Sequence, residues 1–492
     1  MSEKVARNLF SLTISKLLAS VIVFIGYASI FRYLGTVRSG QYQFILAFAT
    51  LYGVIVDFGL QQYVIKKVSE FPEESEKYFG NFFTTEIILA LFVYVCMIVT
   101  AIFGGYNQII FEGILTAGFG VVLCALSIPF TAVLSGHQEM RKIAYMNFSN
   151  SMINVGIMAI TILTHRSVLF LVTVQIWMGV INFLFYSRAI RRYIPNLNLL
   201  RYIRNFNFKI SKDMLMAALP FGMLIGFSII YNKIDVIILS SMRGYAETGI
   251  YTAAYKFVDA LSFFPGVVSS SLYPFFSSAL RLGDMTAVKQ ALTNYTRYMI
   301  IIALPLAFGG MVLAPKLMLL VGGSQFVYGY KALEILVFAI AVMFIYAAVN
   351  SLIINQMTKV AAVITFVNIF VNTIGNLILI PRYGFQAAAV MTLVSELVQA
   401  ICYFIFIRKK IVSFPVFRSF PKPIVCAAIM ALVLWPLRMH SLAITLPLGA
   451  IVYATLAILT GMVKPADLDY LKRIFIKKGD VTVEEQMPLN ID

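Results

Sequence analysis

The chain has 492 residues, 60 % of them apolar and only 12 % charged, with a formal net charge of +17. A soluble domain carries about 25 % charged residues. This composition therefore argues against a soluble enzyme or carrier, and the placement of the positive excess argues against nucleic acid as its partner.

Apolar runs of about 20 residues, the length that crosses a bilayer core, recur from one end of the chain to the other. In chain order the spans fall at roughly 12–31, 41–64, 80–103, 109–134, 143–164, 167–187, 214–240, 249–276, 291–321, 332–356, 360–380, 384–407, 419–437 and 441–462. The first follows a short charged head, lacks a small-residue cleavage site and leads straight into the second, so it reads as a retained span. Fourteen is an even number and places both termini on one side. That side carries 28 of the Lys and Arg against 8 on the other, with Lys16, Lys233 and Lys256 inside spans. The positive-inside rule then predicts cytoplasmic termini, in a cell (inner) membrane, with the basic surface able to grip anionic lipid heads. Lys464 to Lys478 reads as a short amphipathic helix at the membrane surface.

The longest polar connection, Arg188 to Asp213, separates two halves that echo each other. Gly35-x4-Gly40-x-Tyr42 returns as Gly244-x4-Gly249-x-Tyr251, and Gln138, Asn150 and Asn154 return as Gln356, Asn368 and Asn372. Six spans per repeat make the repeats parallel, related by an axis along the membrane normal. The expected architecture is an all-α membrane protein of about 14 transmembrane helices: two parallel six-helix lobes (1–190 and 214–410) joined by a linker (191–213). Transmembrane helices 13 and 14 follow at 411–465, then a cytoplasmic tail at 466–492.

These residues carry a resemblance. Phe31-Arg32-x-Leu34-Gly35-x4-Gly40-x-Tyr42 precedes Asp57-Phe58-Gly59-Leu60. The second half has Pro220, Asp235, Gly249-x-Tyr251-x2-Ala254-x-Lys256 and Pro274. In order and spacing the chain resembles the polysaccharide-export flippases of O-antigen (Wzx-like) type, within the multidrug/oligosaccharidyl-lipid/polysaccharide exporter superfamily. The resemblance implies transfer of an undecaprenyl-diphosphate-linked oligosaccharide between leaflets, for O-antigen and lipopolysaccharide assembly. It implies a V-shaped pair of lobes around a cationic cavity and a lipid-tail groove beside the last two spans. The implied partners are the lipid-linked oligosaccharide and membrane lipids, with a polysaccharide polymerase and chain-length machinery as candidates.

A charge inside the hydrocarbon costs about 2.5–3.5 kcal/mol on insertion scales and faces a cavity or a partner. Lys233, Lys256 and Arg32 are candidate ligands for a diphosphate at one end of the spans, with Lys16 and Arg297 receiving the headgroup from the other. Asp57, Asp235, Asp259 and Glu396 are candidate charge partners or coupling groups. Competing readings stand beside each. Lys233 and Lys256 also fit as neutralisers of Asp235 and Asp259. Arg32 and Lys16 fit as snorkelling side chains, Arg297 as a positive-inside anchor, and Glu396 as a hydrogen-bonded neutral acid.

No catalytic, metal or cofactor site is expected. Gly35-x4-Gly40 lacks the Lys that a phosphate-binding loop needs. His137, His165 and His440 are isolated in loops, where solvated or capping roles are expected, and Cys96, Cys124, Cys402 and Cys426 lack ligand spacing. Two rival functions remain. A drug exporter of the same superfamily should have a cavity dominated by carboxylates. A membrane polymerase or ligase should have a sizeable external loop, whereas the external loops here are about ten residues or fewer.

Overall fold

The computed structural model describes the backbone of residues 3–462 and the side chains of residues 19–462 except Leu224. Every regular element among the described residues is helical. Within lipid this follows from the backbone itself, because a helix satisfies its N–H and C=O groups without water. The first lobe contains α1 (Glu3–Asp57), α2 (Leu60–Glu70), α3 (Ser75–Phe103), α4 (Gln108–Ala125), α5 (Ile128–Gly136), α6 (Met140–Leu163), α7 (Val168–Val172) and α8 (Val174–Ala189). The linker folds into α9 (Leu199–Arg204). It docks on the first lobe through Tyr202, whose ring lies on Gly80 and whose hydroxyl donates to Glu76 at 2.9 Å. The second lobe contains α10 (Phe208–Arg243), α11 (Tyr245–Leu261), α12 (Phe263–Arg281), α13 (Met285–Gly322), α14 (Tyr330–Gln356), α15 (Thr358–Tyr383) and α16 (Phe385–Lys410). Finally α17 (Pro421–Leu434) and α18 (Leu442–Leu459) lie beside α13, where the Tyr453 hydroxyl donates to the Ile301 carbonyl at 2.8 Å.

Twelve helical segments are long and apolar enough to cross a membrane. The fourteen expected spans are recovered by two local facts. The helix α1 holds two of them, because it breaks at Gly35 (φ 71°, ψ −179°). The pair α11 and α12 supplies another, interrupted at Ser262. Gly35 is matched by Gly244 (φ 82°, ψ 179°) at the corresponding turn of the second lobe. This backbone region is essentially closed to residues with a Cβ, so the repeated glycines mark a repeated turn. The helices α6 and α15 begin at Met140 and Thr358, separated by the same 218 positions as the repeated Asn residues.

Where the lobes meet, their backbones nearly touch. A Cβ on Gly40 would collide with the carbonyl of Tyr245, and one on Gly249 would collide with the carbonyl of Thr36. Each contact is the image of the other, four residues back from the opposing glycine, as expected where two related helices cross on a two-fold axis. Small residues let membrane helices approach this closely. A second close approach lies at the end of the bundle that carries the linker, here termed the basic end. Gly59 (φ 80°) sits on the Gly222 backbone, and Gly222 on the carbonyl of Phe58.

Candidate functional site

Between these two contacts the helices α1, α8, α10 and α11 enclose a cavity of about 150 Å³. Small-molecule sites typically measure about 300–1,000 Å³, so the lobes are closed around a space fit for waters and a few polar groups. Four of the anticipated residues line it: Lys233, Asp235, Lys256 and Asp259. Lys256 pairs with Asp259 at 2.8 Å, one helical turn on, and its ammonium lies 4.3 Å from the centre of the Tyr27 ring. Lys233 makes no ion pair with Asp235. That carboxylate instead accepts from the Tyr251 hydroxyl and, at 2.8 Å, from the Val236 N–H. Of the two anticipated neutralising pairs, Lys256 with Asp259 forms a direct ion pair and Lys233 with Asp235 does not. Both residues of the second pair line the cavity, and the Asp235 carboxylate also ties α10 to α11 through Tyr251.

The other candidates lie elsewhere. Arg32 is exposed and donates to the carbonyls of Leu319 (3.3 Å) and Leu320 (2.5 Å), in the last turn of α13. The open carbonyls and negative dipole end of a helix attract a guanidinium. Arg32 therefore latches the first lobe to the second at the end opposite the basic one, outside the cavity. Arg297 donates to the Met462 carbonyl at 2.8 Å and lies 5.5 Å from the Tyr298 ring, so it is engaged beside α18 and not at the cavity. Glu396 is buried and accepts from the hydroxyls of Tyr231 (2.9 Å) and Tyr346 (2.7 Å), joining α16 to α10 and α14. Asp57 accepts from the Gln61 N–H at 2.8 Å at the start of α2, and borders a separate cavity of about 280 Å³. The side chain of Lys16 and the segment Lys464 to Lys478 lie outside the described residues.

Sequence reading missed the neutral part of the cavity: Tyr27, Gln43, Thr50, Asn232, Thr252 and Tyr255. The Nε2 of Gln43 is buried without a protein partner. A polar amide one residue beyond Gly40-x-Tyr42, in an apolar run, was the available signal. His137 is also not simply solvated: it stacks on Tyr193 at 3.9 Å and bonds Ser75 at 2.9 Å.

On the far side of α11 is a larger groove of about 690 Å³, lined almost wholly by apolar residues of α11, α13, α14, α17 and α18, among them Phe257, Leu306, Met430, Leu446 and Tyr453. Gly309 and Gly310 leave room for it within α13. One helix therefore presents Lys256 and Asp259 to the polar cavity and Phe257 and Leu261 to the apolar groove.

Residues 5–280 match the family model described as "Polysaccharide biosynthesis protein". A probable low-salt glycan biosynthesis flippase of Haloferax volcanii is 23 % identical over 413 residues, covering 81 % of this chain and 82 % of that protein. Among solved structures, a lipid II flippase MurJ in an inward closed conformation aligns with a TM-score of 0.71 at 15 % identity, covering 95 % of this chain and 100 % of that one. An inward-facing multidrug resistance MATE transporter of the MOP superfamily aligns at 0.60 and 15 % identity, covering 81 % and 98 %. The fold is the one these transporters share.

Proposed function

Because the chain belongs to the polysaccharide biosynthesis protein family, we propose that it is a flippase. Its substrate is an oligosaccharide linked through a diphosphate to a polyprenyl carrier of undecaprenyl type, moved across the cell membrane by alternating access. One observation carries the reading: α11 separates a cavity walled by Lys233 and Lys256 from a groove of about 690 Å³ that is almost purely apolar. A substrate that fits both has a compact anionic head and a long hydrocarbon tail. The head needs the lysines, since an anion crosses hydrocarbon only when accompanied. Uncharged sugars suit the amide and hydroxyl lining of Gln43, Asn232 and Thr252. With termini and basic end in the cytoplasm, parting the Gly59–Gly222 contact admits the head. Parting the Gly40–Gly249 contact and the Arg32 latch releases it on the other side.

Asp235 and Glu396 each anchor α10, the helix bearing Lys233, through a tyrosine hydroxyl. A change of charge at either would reposition that helix, which suits a coupling role. A cationic-drug exporter fits less well. Asp235 is already engaged by Tyr251 and Asp259 by Lys256, so each cavity carboxylate has a partner within the protein.

The test is genetic. Deletion should accumulate lipid-linked glycan on the cytoplasmic leaflet, and the wild-type gene should clear it. Lys256→Ala should fail to clear it at normal membrane abundance, while Lys256→Arg restores part of the activity, since charge persists in a planar fork. Full activity in Lys256→Ala, or in a variant exchanging Lys256 and Asp259, would make the pair structural.

A further inference from the structure

A further concavity lies at the basic end of the first lobe, apart from the polar cavity and the apolar groove. Its volume is about 550 Å³, and its walls are Lys142 of α6 with Ile181, Leu184, Phe185, Arg188 and Ala189 of α8. Ile181, Leu184 and Arg188 are spaced by three and four residues and share one helix face. That face continues to Val180 and Trp177, both exposed apolar residues in a spanning helix. From Arg188 to Trp177 the stripe measures about 16 Å along the axis. Tyr145, one turn beyond Lys142, brings its ring within 6.0 Å of Phe185 and closes the other side.

The polar mouth is cationic. Arg141, Lys142, Arg188, Arg191 and Arg192 lie at the same ends of α6 and α8, and one carboxylate there, Glu139, pairs with Lys142 at 3.3 Å and Arg192 at 3.7 Å. Arg188 pairs with no carboxylate among the described residues; one of its N–H groups bonds the Leu184 carbonyl at 3.1 Å and folds the guanidinium over the mouth. A cationic rim above an apolar track at the end of a membrane span has the chemistry of an anionic lipid: phosphate above, acyl chain below.

We propose that this groove between α6 and α8 is a binding site for one resident anionic phospholipid, its headgroup phosphate held by Lys142 and Arg188 and one acyl chain laid along Leu184, Ile181 and Trp177. Charge complementarity sets the preference over zwitterionic lipids, and the site is independent of the transport reading above. A lipid here would brace α6 against α8 at the end where the linker docks.

The chain has two tryptophans, and one of them lies on the track. In a Trp435→Phe variant, excitation at the red edge of the indole band, where tyrosine does not absorb, reports Trp177 alone. This protein is reconstituted in phosphatidylcholine vesicles containing, at equal mole fraction, chain-brominated phosphatidylglycerol or chain-brominated phosphatidylcholine. Bromine quenches only when the chain lies against the indole. The brominated phosphatidylglycerol should quench Trp177 with an apparent preference of roughly tenfold, as expected for two cations at the surface partly offset by Glu139. Adding Lys142→Gln and Arg188→Gln should abolish the preference, whereas Lys142→Arg with Arg188→Lys should preserve it. Equal quenching by the two lipids in the Trp435→Phe protein overturns the site without any change to its residues. A preference that persists in the double Gln variant assigns it to the overall positive charge of the protein and overturns it equally.

Discussion

The Gly40–Gly249 crossing makes the sharpest demand on the closed state. An alanine methyl at position 40 would lie 2.7 Å from the Tyr245 carbonyl carbon and 2.9 Å from the Gly249 nitrogen, with the Tyr245 oxygen nearer still. At position 249 it would lie 3.0 Å from the Gly40 nitrogen and press on the Thr36 oxygen. All of these are backbone atoms of packed helices, so no side chain can swing aside. The helices must part by roughly 1 Å, and overpacking of this kind costs about 1–3 kcal/mol. That cost falls only on the state in which the lobes touch. It should therefore shift the equilibrium toward opening at the Gly40 end by roughly 5–150-fold. The assay uses protein freed of Cys96, Cys124, Cys402 and Cys426 and carrying Thr252→Cys on the cavity wall, labelled by a membrane-impermeant thiol reagent from that side. Gly40→Ala and Gly249→Ala should each accelerate labelling. The double variant should exceed the stronger single only slightly, because one displacement relieves both clashes. Gly156→Ala, where a methyl meets nothing within 4 Å, should leave the rate unchanged. Unchanged labelling in folded Gly40→Ala, or strictly additive effects, would refute the reasoning.

Glu396→Ala should lower the thermal midpoint in detergent, since it strands the Tyr231 and Tyr346 hydroxyls at about 1–3 kcal/mol each; Glu396→Gln, which keeps one acceptor, should lose less. Partial burial against Tyr193 lowers the His137 pKa from its usual 6.5, with Glu139 opposing. The folded protein thus resists protonation there, so the stability contributed by neutral His137 is present above about pH 6.5 and is lost as pH falls below it. A thermal-melt series from pH 8 to 5 should show that decline, and His137→Phe, which keeps the stack, should flatten it. Reporter fusions at Ser2 and Asp492 should both score as cytoplasmic; an external score at Asp492 would mean an odd number of spans.

Much of the architecture was legible because membrane insertion writes itself along the chain. Each span needs about 20 apolar residues regardless of its neighbours, so the runs alone located the helices, and the repeated Gly35 and Gly244 located the matching turns. Lys256 and Asp259 were readable as a pair because three residues along one helix is a local relation. Arg32 and Arg297, by contrast, find their partners at Leu320 and Met462, far away in the chain.

By itself the sequence determined the helical class, the number of spans, the charge asymmetry and the internal repeat, since these depend on local hydropathy and on spacing within one helix. Only the tertiary structure decided that Gly40 and Gly249 touch, that Asp235 bonds Tyr251 on the cavity wall, and that α11 divides a polar space from an apolar one. Those outcomes depend on how helices rotate about their axes when they pack. A lipid-facing and a cavity-facing position in an apolar run differ by a rotation of the helix, and that rotation is set by contacts with other helices.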